Sequence, residues 1–154
     1  MKDCNFNIVL VNPQIPNNTG NIGRLCVGSL SKLHLVKPLG FKITDSRVKR
    51  AGLDYWNDLD LTYHNSFQDL VSSVKNTSRL FFFTTQAENS FYNVDYKEGD
   101  WLVFGRESDG LPQEIINLFK AQCVQIPFPG QIRSFNLGNA VAMALGEGLR
   151  QLNL

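Results

Sequence analysis

Ile126-Pro-Phe-Pro-Gly-Gln-Ile-Arg-Ser-Phe-Asn-Leu-Gly-Asn-Ala-Val-Ala142 runs from an apolar strand, through two prolines and a glycine, into a long helix-forming segment. The junction carries a small polar cluster, Arg133, Ser134 and Asn136. Backbone groups and side chains at the start of a helix are common holders of polar ligands. The stretch therefore predicts a ligand-binding loop between the last strand and the last helix of the fold.

The composition predicts one soluble domain spanning residues 1–154. Of its residues, 43% are hydrophobic and 19% are charged, which suits a single packed core. The sequence contains no apolar run of membrane-spanning length, and the first residues lack the pattern of a secretory signal. We therefore expect a cytoplasmic protein.

The cysteines and histidines indicate neither a disulfide framework nor a metal centre. Cys4, Cys26 and Cys123 are odd in number, far apart and without a Cys-x-x-Cys pair, so buried thiols are expected. His34 and His64 are isolated in the sequence. We expect no catalytic metal.

The net charge is only +1, but the basic residues are unevenly spread. Between residues 32 and 50 the only acidic residue is Asp45. The basic residues of this stretch are Lys32, Lys37, Lys42, Arg47, Lys49 and Arg50. Two interpretations remain open at this point: a solvated protein surface, or a phosphate-binding patch on a nearly neutral protein.

Strand-like and helix-like segments alternate along the chain. The predicted strands are Phe6–Val11, Leu33–Lys37, Leu59–Tyr63, Leu80–Thr84, Trp101–Phe104 and Val124–Pro127. The predicted helices are Thr19–Leu30, Asp45–Gly52, Phe67–Asn76, Pro112–Phe119 and Asn136–Leu152. Ser66 with Asp69 forms a variant capping box, Pro112 suits a first helical turn, and the polar stretch 86–100 is expected to be a surface loop. The alternation predicts an α/β fold with a mostly parallel sheet flanked by helices.

The last predicted helix combines an apolar stripe with small residues at four-residue spacing. Two rows of small residues are present: Gly138, Ala142 and Gly146, and Ala140, Ala144 and Gly148. Glycine inside a helix costs about 1 kcal/mol relative to alanine, so close approach by another backbone is indicated. The rows fit either tight packing on the protein's own sheet or a second subunit.

A first candidate site follows the first strand, in Asn12–Arg24. We expect Thr19 or Asn18 to cap a helix with Gly20 in its first turn, where exposed N–H groups favour a phosphate. Arg24 could hold a phosphate or a carboxylate through its planar guanidinium. The segment fits neither the dinucleotide fingerprint nor the nucleotide-triphosphate loop, and a capped helix with a surface arginine remains an alternative.

A second candidate site follows the fifth strand, in Phe104–Pro112. Gly105 would permit an unusual turn, and Glu107 lies where ligands collect in open α/β sheets. A merely structural turn is the alternative. Because all three candidate loops follow strands at one end of the sheet, we favour one composite site over three coincidences.

Three ordered motifs resemble those of the SPOUT RNA 2′-O-methyltransferases. They are Asn18-Thr-Gly-Asn-Ile-Gly-Arg24, Phe104-Gly-Arg-Glu107 with Gly110-Leu-Pro112, and Ile126-Pro with Arg133-Ser-Phe-Asn-Leu137. The chain resembles the minimal single-domain members in length and layout, which implies methylation of the wobble ribose, nucleotide 34, of tRNA. Gly138 departs from the serine or threonine that the family more often carries.

The resemblance implies an α/β fold of SPOUT type whose C-terminal segment forms a trefoil knot. It also implies S-adenosyl-L-methionine as cofactor, held largely by backbone groups. The matching positions are Phe83, Thr84, Gly105, Ile126, Ser134 and Leu137.

The resemblance implies Arg24, Glu107, Ser134 and Asn136 as the residues that serve catalysis. Because guanidinium stays protonated in proteins, we favour Arg24 as a stabiliser of the emerging alkoxide over Arg24 as the base. In the family this arginine is thought to reach the cofactor site of the other subunit. A homodimer through the last helix would then be required for activity.

The expected partner is tRNA, bound at its anticodon stem-loop by the basic stretch Lys32–Arg50. Tyr55 and Trp56 are candidates for stacking on unpaired bases, with ordinary packing as the alternative. Methylation of another tRNA or rRNA site, or a non-catalytic knotted RNA-binding protein, are the competing functions. A nucleotide-dependent oxidoreductase is disfavoured by the missing glycine fingerprint.

Overall fold

A six-stranded sheet organises the fold. The computed structural model describes residues 4–154, with the side chains of residues 52–54 excepted. The strands are β1 (Phe6–Val11), β2 (Lys32–Val36), β3 (Leu61–His64), β4 (Leu80–Phe83), β5 (Asp100–Phe104) and β6 (Cys123–Val124). Their order is β3-β2-β1-β5-β4-β6, and every pairing that the structure describes between them is parallel.

Residues 4–154 form five α-helices, of which four lie between strands and the fifth follows β6. They are α1 (Pro16–Gly28), α2 (Ser46–Gly52), α3 (Phe67–Ser73), α4 (Gln113–Leu118) and α5 (Leu137–Gln151). A 3₁₀ helix, Leu53–Asp58, continues directly from α2. All the predicted strands and helices are confirmed, with ends displaced by three residues or fewer. Ser66 caps α3 by accepting from the Asp69 N–H at 3.1 Å, whereas Pro112 precedes α4 and is not its first residue.

Both faces of the sheet are buried, which explains why β1 is apolar at almost every position. Ile8 and Leu10 face a core shared with α1 and α5, and Val9 and Val11 face a second core shared with α3 and α4. All six residues of β1 are buried. A parallel sheet of this kind needs helices on both faces, and here they cover both.

The small residues of α5 divide between two environments. A Cβ atom built on Gly148 would lie 2.5 Å from the Phe6 ring, and Ala144 is fully buried. This row therefore packs on the protein's own sheet. In the other row Ala142 and Gly146 are exposed, and a Cβ atom on Gly146 would meet nothing within 4 Å. The second row is open to a partner.

The stretch 86–100, predicted to be a surface loop, is anchored in the core. It contains a short 3₁₀ helix, Phe91–Asn93, in which Phe91 is buried. The buried Tyr96 hydroxyl donates to the Phe91 carbonyl at 2.8 Å.

Across residues 4–154, the structure includes no helix whose length and apolarity would let it cross a membrane.

The two histidines, which are isolated in the sequence, are neighbours in the sheet. Asn7 donates through its amide to the Gly99 carbonyl, which leaves its oxygen to accept from His34 Nε2 at 3.0 Å. His34 Nδ1 then accepts from His64 Nε2 at 2.9 Å, and Trp101 packs on the His34 ring. Neutral His34 is satisfied at both nitrogens.

Burial, helped by His64 and Lys32, lowers the pKa of His34 to about 3. In the unfolded chain its pKa returns to about 6.5, so the unfolded state binds more protons below that pH. We expect wild-type protein to lose about 2 kcal/mol of unfolding free energy between pH 7.5 and pH 5 through this group. His34→Gln should lack this part of the loss. Urea unfolding at both pH values measures it, and equal losses in the two proteins would contradict the assignment.

Candidate functional site

A cleft of about 260 Å³ lies at the carboxyl end of the sheet. The segments that follow β4, β5 and β6 form its walls, and the first turn of α5 closes it. The six residues implied as cofactor ligands all line it: Phe83, Thr84, Gly105, Ile126, Ser134 and Leu137. The fold thus brings together residues that are up to 54 positions apart in the chain. Their contact with a cofactor stays a prediction.

The inner wall of the cleft is apolar and rigid. The Phe83 and Phe104 rings stack with centroids 4.6 Å apart and an interplanar angle of 18°. The Thr84 N–H donates to the Val124 carbonyl at 2.9 Å, which ties the end of β4 to β6. A flat apolar group could enter against this wall while polar groups are held at the loops.

A tight hairpin, residues 105–111, forms one lip of the cleft. A Cβ atom on Gly105 would overlap the carbonyl carbon of Gly110, so only glycine fits there. Arg106 pairs with Asp109 across the hairpin, and together with the Ser108 hydroxyl it lowers the pKa of Asp109 to about 2. Asp109 is therefore ionised at neutral pH, and a carboxylate with so low a pKa is a weak base.

Glu107, the other acidic residue of the hairpin, binds the start of α1. Its carboxylate accepts from the backbone N–H groups of Gln14 and Ile15 at 2.8 and 2.7 Å, and from the Asn18 amide at 3.3 Å. The predicted cap by Asn18 or Thr19 is wrong, because α1 begins at Pro16 without a side-chain cap of its own. The sequence predicts that this helix start binds a phosphate, whereas in the structure the Glu107 carboxylate of the same chain lies there.

Asn136 joins the third motif to the other two. Its side-chain oxygen caps α5 by accepting from the Asn139 N–H at 3.2 Å. Its amide donates to the Asn18 oxygen at 3.3 Å. A continuous chain of hydrogen bonds, Glu107–Asn18–Asn136, therefore links the three motifs. Ser134 lies exposed on the rim of the cleft.

Arg24 lies apart from the other predicted catalytic residues. It is exposed, it does not line the cleft, and its guanidinium lies over the Tyr55 ring, 5.3 Å from the centroid. Asn18 and Arg24 are six residues apart on α1, so their side chains point about 120° apart around the helix. The structure does not bring Arg24 to the cleft of its own chain.

The basic stretch is attached to the helix that carries Arg24. A Cβ atom on Gly20 would overlap the Val48 carbonyl oxygen, so α2 packs directly on α1. Lys49 and Arg50 of α2 are exposed. Arg47, by contrast, is paired with Asp45 at 2.9 Å.

The two aromatic residues proposed for base stacking differ in their surroundings. A Cβ atom on Gly23 would lie 3.0 Å from the Trp56 ring, so Trp56 packs against α1. Tyr55 is 45% exposed, and the Arg24 guanidinium lies over its ring. The packing alternative therefore holds for Trp56, and base stacking by Tyr55 stays a prediction.

Sequence reasoning missed three residues that shape the cleft. The Gln14 side chain accepts from the Ser108 N–H at 3.2 Å and so supports the hairpin. Phe128 and Phe135 meet edge to face at 5.1 Å and close the loop between β6 and α5. The two phenylalanines flank the Pro-Gly turn at either end, a signal that could have predicted their contact. Gln14 has no such local signal.

A profile of the SpoU rRNA Methylase family matches residues 5–146 of the chain. The tRNA (cytidine(34)-2′-O)-methyltransferase of Yersinia pestis is 45% identical over 152 residues, which cover 96% of this chain and 94% of that protein. A solved structure concerned with the 2-OH methylation of C/U34 on tRNA superposes with a TM-score of 0.92 at 42% identity, covering 96% of both chains.

The fold also matches a more distant solved structure. The AdoMet-bound rRNA methyltransferase from Sinorhizobium meliloti is 21% identical, with a TM-score of 0.85, and the match covers 96% of this chain and 56% of that one. At this identity the likeness concerns the fold alone.

Glu107→Gln should weaken the start of α1. A carboxamide keeps the shape of the carboxylate. Its NH₂ group would, however, face a backbone N–H group from which a carboxylate oxygen now accepts a hydrogen bond. We expect the unfolding free energy to fall by about 1–2 kcal/mol, measured from urea midpoints.

Glu114→Gln is the matched control, because Glu114 is exposed in the first turn of α4. It should change stability by less than about 0.5 kcal/mol. Equal effects of the two substitutions would show that the Glu107 carboxylate does not hold α1.

Proposed function

The chain belongs to the SpoU rRNA methylase family, and we infer that it is a tRNA (cytidine(34)-2′-O)-methyltransferase. It methylates the ribose 2′-hydroxyl of C or U at position 34 of tRNA. The observation that carries this conclusion is the near-complete match, at 42–45% identity, to a tRNA methyltransferase and to a solved structure concerned with that reaction.

We propose that the cleft binds S-adenosyl-L-methionine, as AdoMet-bound relatives of this fold do. An apolar wall for a flat ring, surrounded by loop backbone and the exposed Ser134, suits an adenosine group with polar ends. When bound, this cofactor supplies an electrophilic methyl group on a sulfonium. The proposed holding residues are Phe83, Thr84, Gly105, Ile126, Ser134 and Leu137.

The residues of the cleft act chiefly by positioning. The Glu107 oxygens already accept from N–H donors, and Asp109 is paired with Arg106 and is a weak base, so neither is suited to take the proton of the ribose hydroxyl. Ser134, exposed on the rim, is the side chain placed to orient that hydroxyl. Asn136 and Glu107 act through Asn18 as positioning residues.

We propose that Arg24 serves the cleft of a partner subunit in a homodimer. Its orientation away from its own cleft supports this, and so does the exposed row of small residues on α5, where a second backbone could approach closely. As a permanent cation, Arg24 would bind a phosphate of the RNA and stabilise the alkoxide that forms as the hydroxyl loses its proton.

We propose that the anticodon stem-loop lies on the basic surface of Lys32–Arg50. Support comes from the direct packing of α2, with its exposed Lys49 and Arg50, on the helix that carries Arg24. Binding of this kind weakens steeply with salt.

We also propose the trefoil knot, a single domain over residues 1–154, and a cytoplasmic site of action. The likeness of the whole chain to a solved structure supports the first two proposals. The tRNA substrate supports the third.

Labelled S-adenosyl-L-methionine and unfractionated tRNA test the function. We expect one ribose methylation, mapped to nucleotide 34. Arg24→Ala should reduce transfer by at least about 100-fold while cofactor affinity stays near wild type. Transfer only to rRNA or another tRNA nucleotide, or no transfer despite cofactor binding, would overturn the assignment.

Co-expression of two inactive chains with different tags tests the dimer. One carries Arg24→Ala, and the other carries Gly105→Val, whose side chain would obstruct the hairpin and so remove cofactor binding. If Arg24 acts across subunits, random pairing restores about a quarter of the wild-type sites. Circular dichroism confirms that each chain folds. A co-purified mixed dimer without activity would place Arg24 in its own chain's cleft.

A further inference from the structure

We propose that Tyr55 is the positioning residue for Arg24. The inference rests on the proposed function, because it concerns how Arg24 is presented for methyl transfer. Tyr55 belongs to none of the three motifs, and the cleft does not include it.

The position of the Arg24 guanidinium has to be fixed by a contact from outside α1, because α1 itself holds this side chain only weakly. It is exposed on α1, and among the described side chains of residues 4–51 and 55–154 no ion pair includes it. A long, flexible side chain of this kind samples many rotamers, and each rotamer places the charge differently. An active site needs its cation within a fraction of an ångström of one position.

The Tyr55 ring supplies that contact. The guanidinium lies 5.3 Å from the ring centroid, within the range of a cation–π interaction. A guanidinium is planar and weakly hydrated, so it stacks on a ring without losing its N–H donors, which point outward. Tyr55 therefore limits the rotamers of Arg24 while leaving its donors available to an RNA phosphate.

The 3₁₀ helix that carries Tyr55 is held on α1 by residues next to Tyr55. Trp56 and Leu59 pack into the notch at Gly23, where a Cβ atom would lie 3.0 and 3.1 Å from them. Gly23 is the residue directly before Arg24, so the same contact locks the 3₁₀ helix Leu53–Asp58 beside the arginine. The glycine thereby aligns Tyr55 with Arg24, which gives this glycine of the first motif a role apart from ligand binding.

Tyr55→Leu and Tyr55→Phe separate the ring from the hydroxyl. We expect Tyr55→Leu to lower kcat by roughly tenfold, with KM for an anticodon stem-loop and cofactor affinity near wild type. Tyr55→Phe should restore kcat, because the ring is what the guanidinium contacts. Tyr92→Leu is the control: this tyrosine is 57% exposed in the 3₁₀ helix Phe91–Asn93, and its loss should leave kcat unchanged.

Three kinetic outcomes would overturn the proposal. A rise in KM with unchanged kcat in Tyr55→Leu would make Tyr55 an RNA contact. Wild-type kinetics in Tyr55→Leu would make the ring irrelevant. A Tyr55→Phe variant as slow as Tyr55→Leu would assign the role to the hydroxyl.

Proton NMR tests the contact independently of activity. The Arg24 side-chain protons should show an upfield ring-current shift in wild type and Tyr55→Phe that disappears in Tyr55→Leu. Absence of that shift in wild type overturns the proposal. A wild-type protein with the shift but without transfer to tRNA would instead refute the proposed function.

Discussion

The site depends on one carboxylate and the helix start that it binds. Each α-helix begins with N–H groups that lack a partner, and α1 has no capping side chain of its own. Glu107, on a hairpin about ninety positions further along the chain, places a negative charge at this helix start and accepts from the N–H groups of Gln14 and Ile15 just before the helix. The hairpin that carries Glu107 and the helix α1 therefore have to fold together. Asn18 extends this hydrogen-bond network to α5 through Asn136.

This arrangement explains why so few side chains of the cleft are available for chemistry. The acidic groups of the hairpin are engaged in holding its shape, and the one strongly basic residue implied in catalysis faces elsewhere. A methyl transfer from a reactive sulfonium demands alignment more than a powerful base. Under the proposed arrangement, in which a partner subunit supplies Arg24, the cleft meets that demand only when the dimer is assembled.

Periodicity and composition were sufficient to predict every strand and α-helix of residues 4–154, although not the 3₁₀ helices, because a parallel sheet buried on both faces produces long apolar runs separated by amphipathic segments. The composite position of the three loops followed from the direction of the strands. The start of α1 was mispredicted, since its cap comes from Glu107 and leaves no local signal. The His34–His64 contact was missed for a similar reason: it depends on strand register. The family resemblance, and not the pattern, named the ligand.

The position of β1 at the centre of the sheet has a consequence for biosynthesis. One edge of β1 pairs with β2, which follows closely in the chain, whereas the other pairs with β5, some ninety residues later. On the ribosome the N-terminal half can form β1, β2 and β3 early, but the strand Phe-Asn-Ile-Val-Leu-Val keeps one open hydrogen-bonding edge until β5 emerges. The nascent chain is therefore most exposed to strand-to-strand aggregation during that interval, and slow translation across residues 37–99 would prolong it.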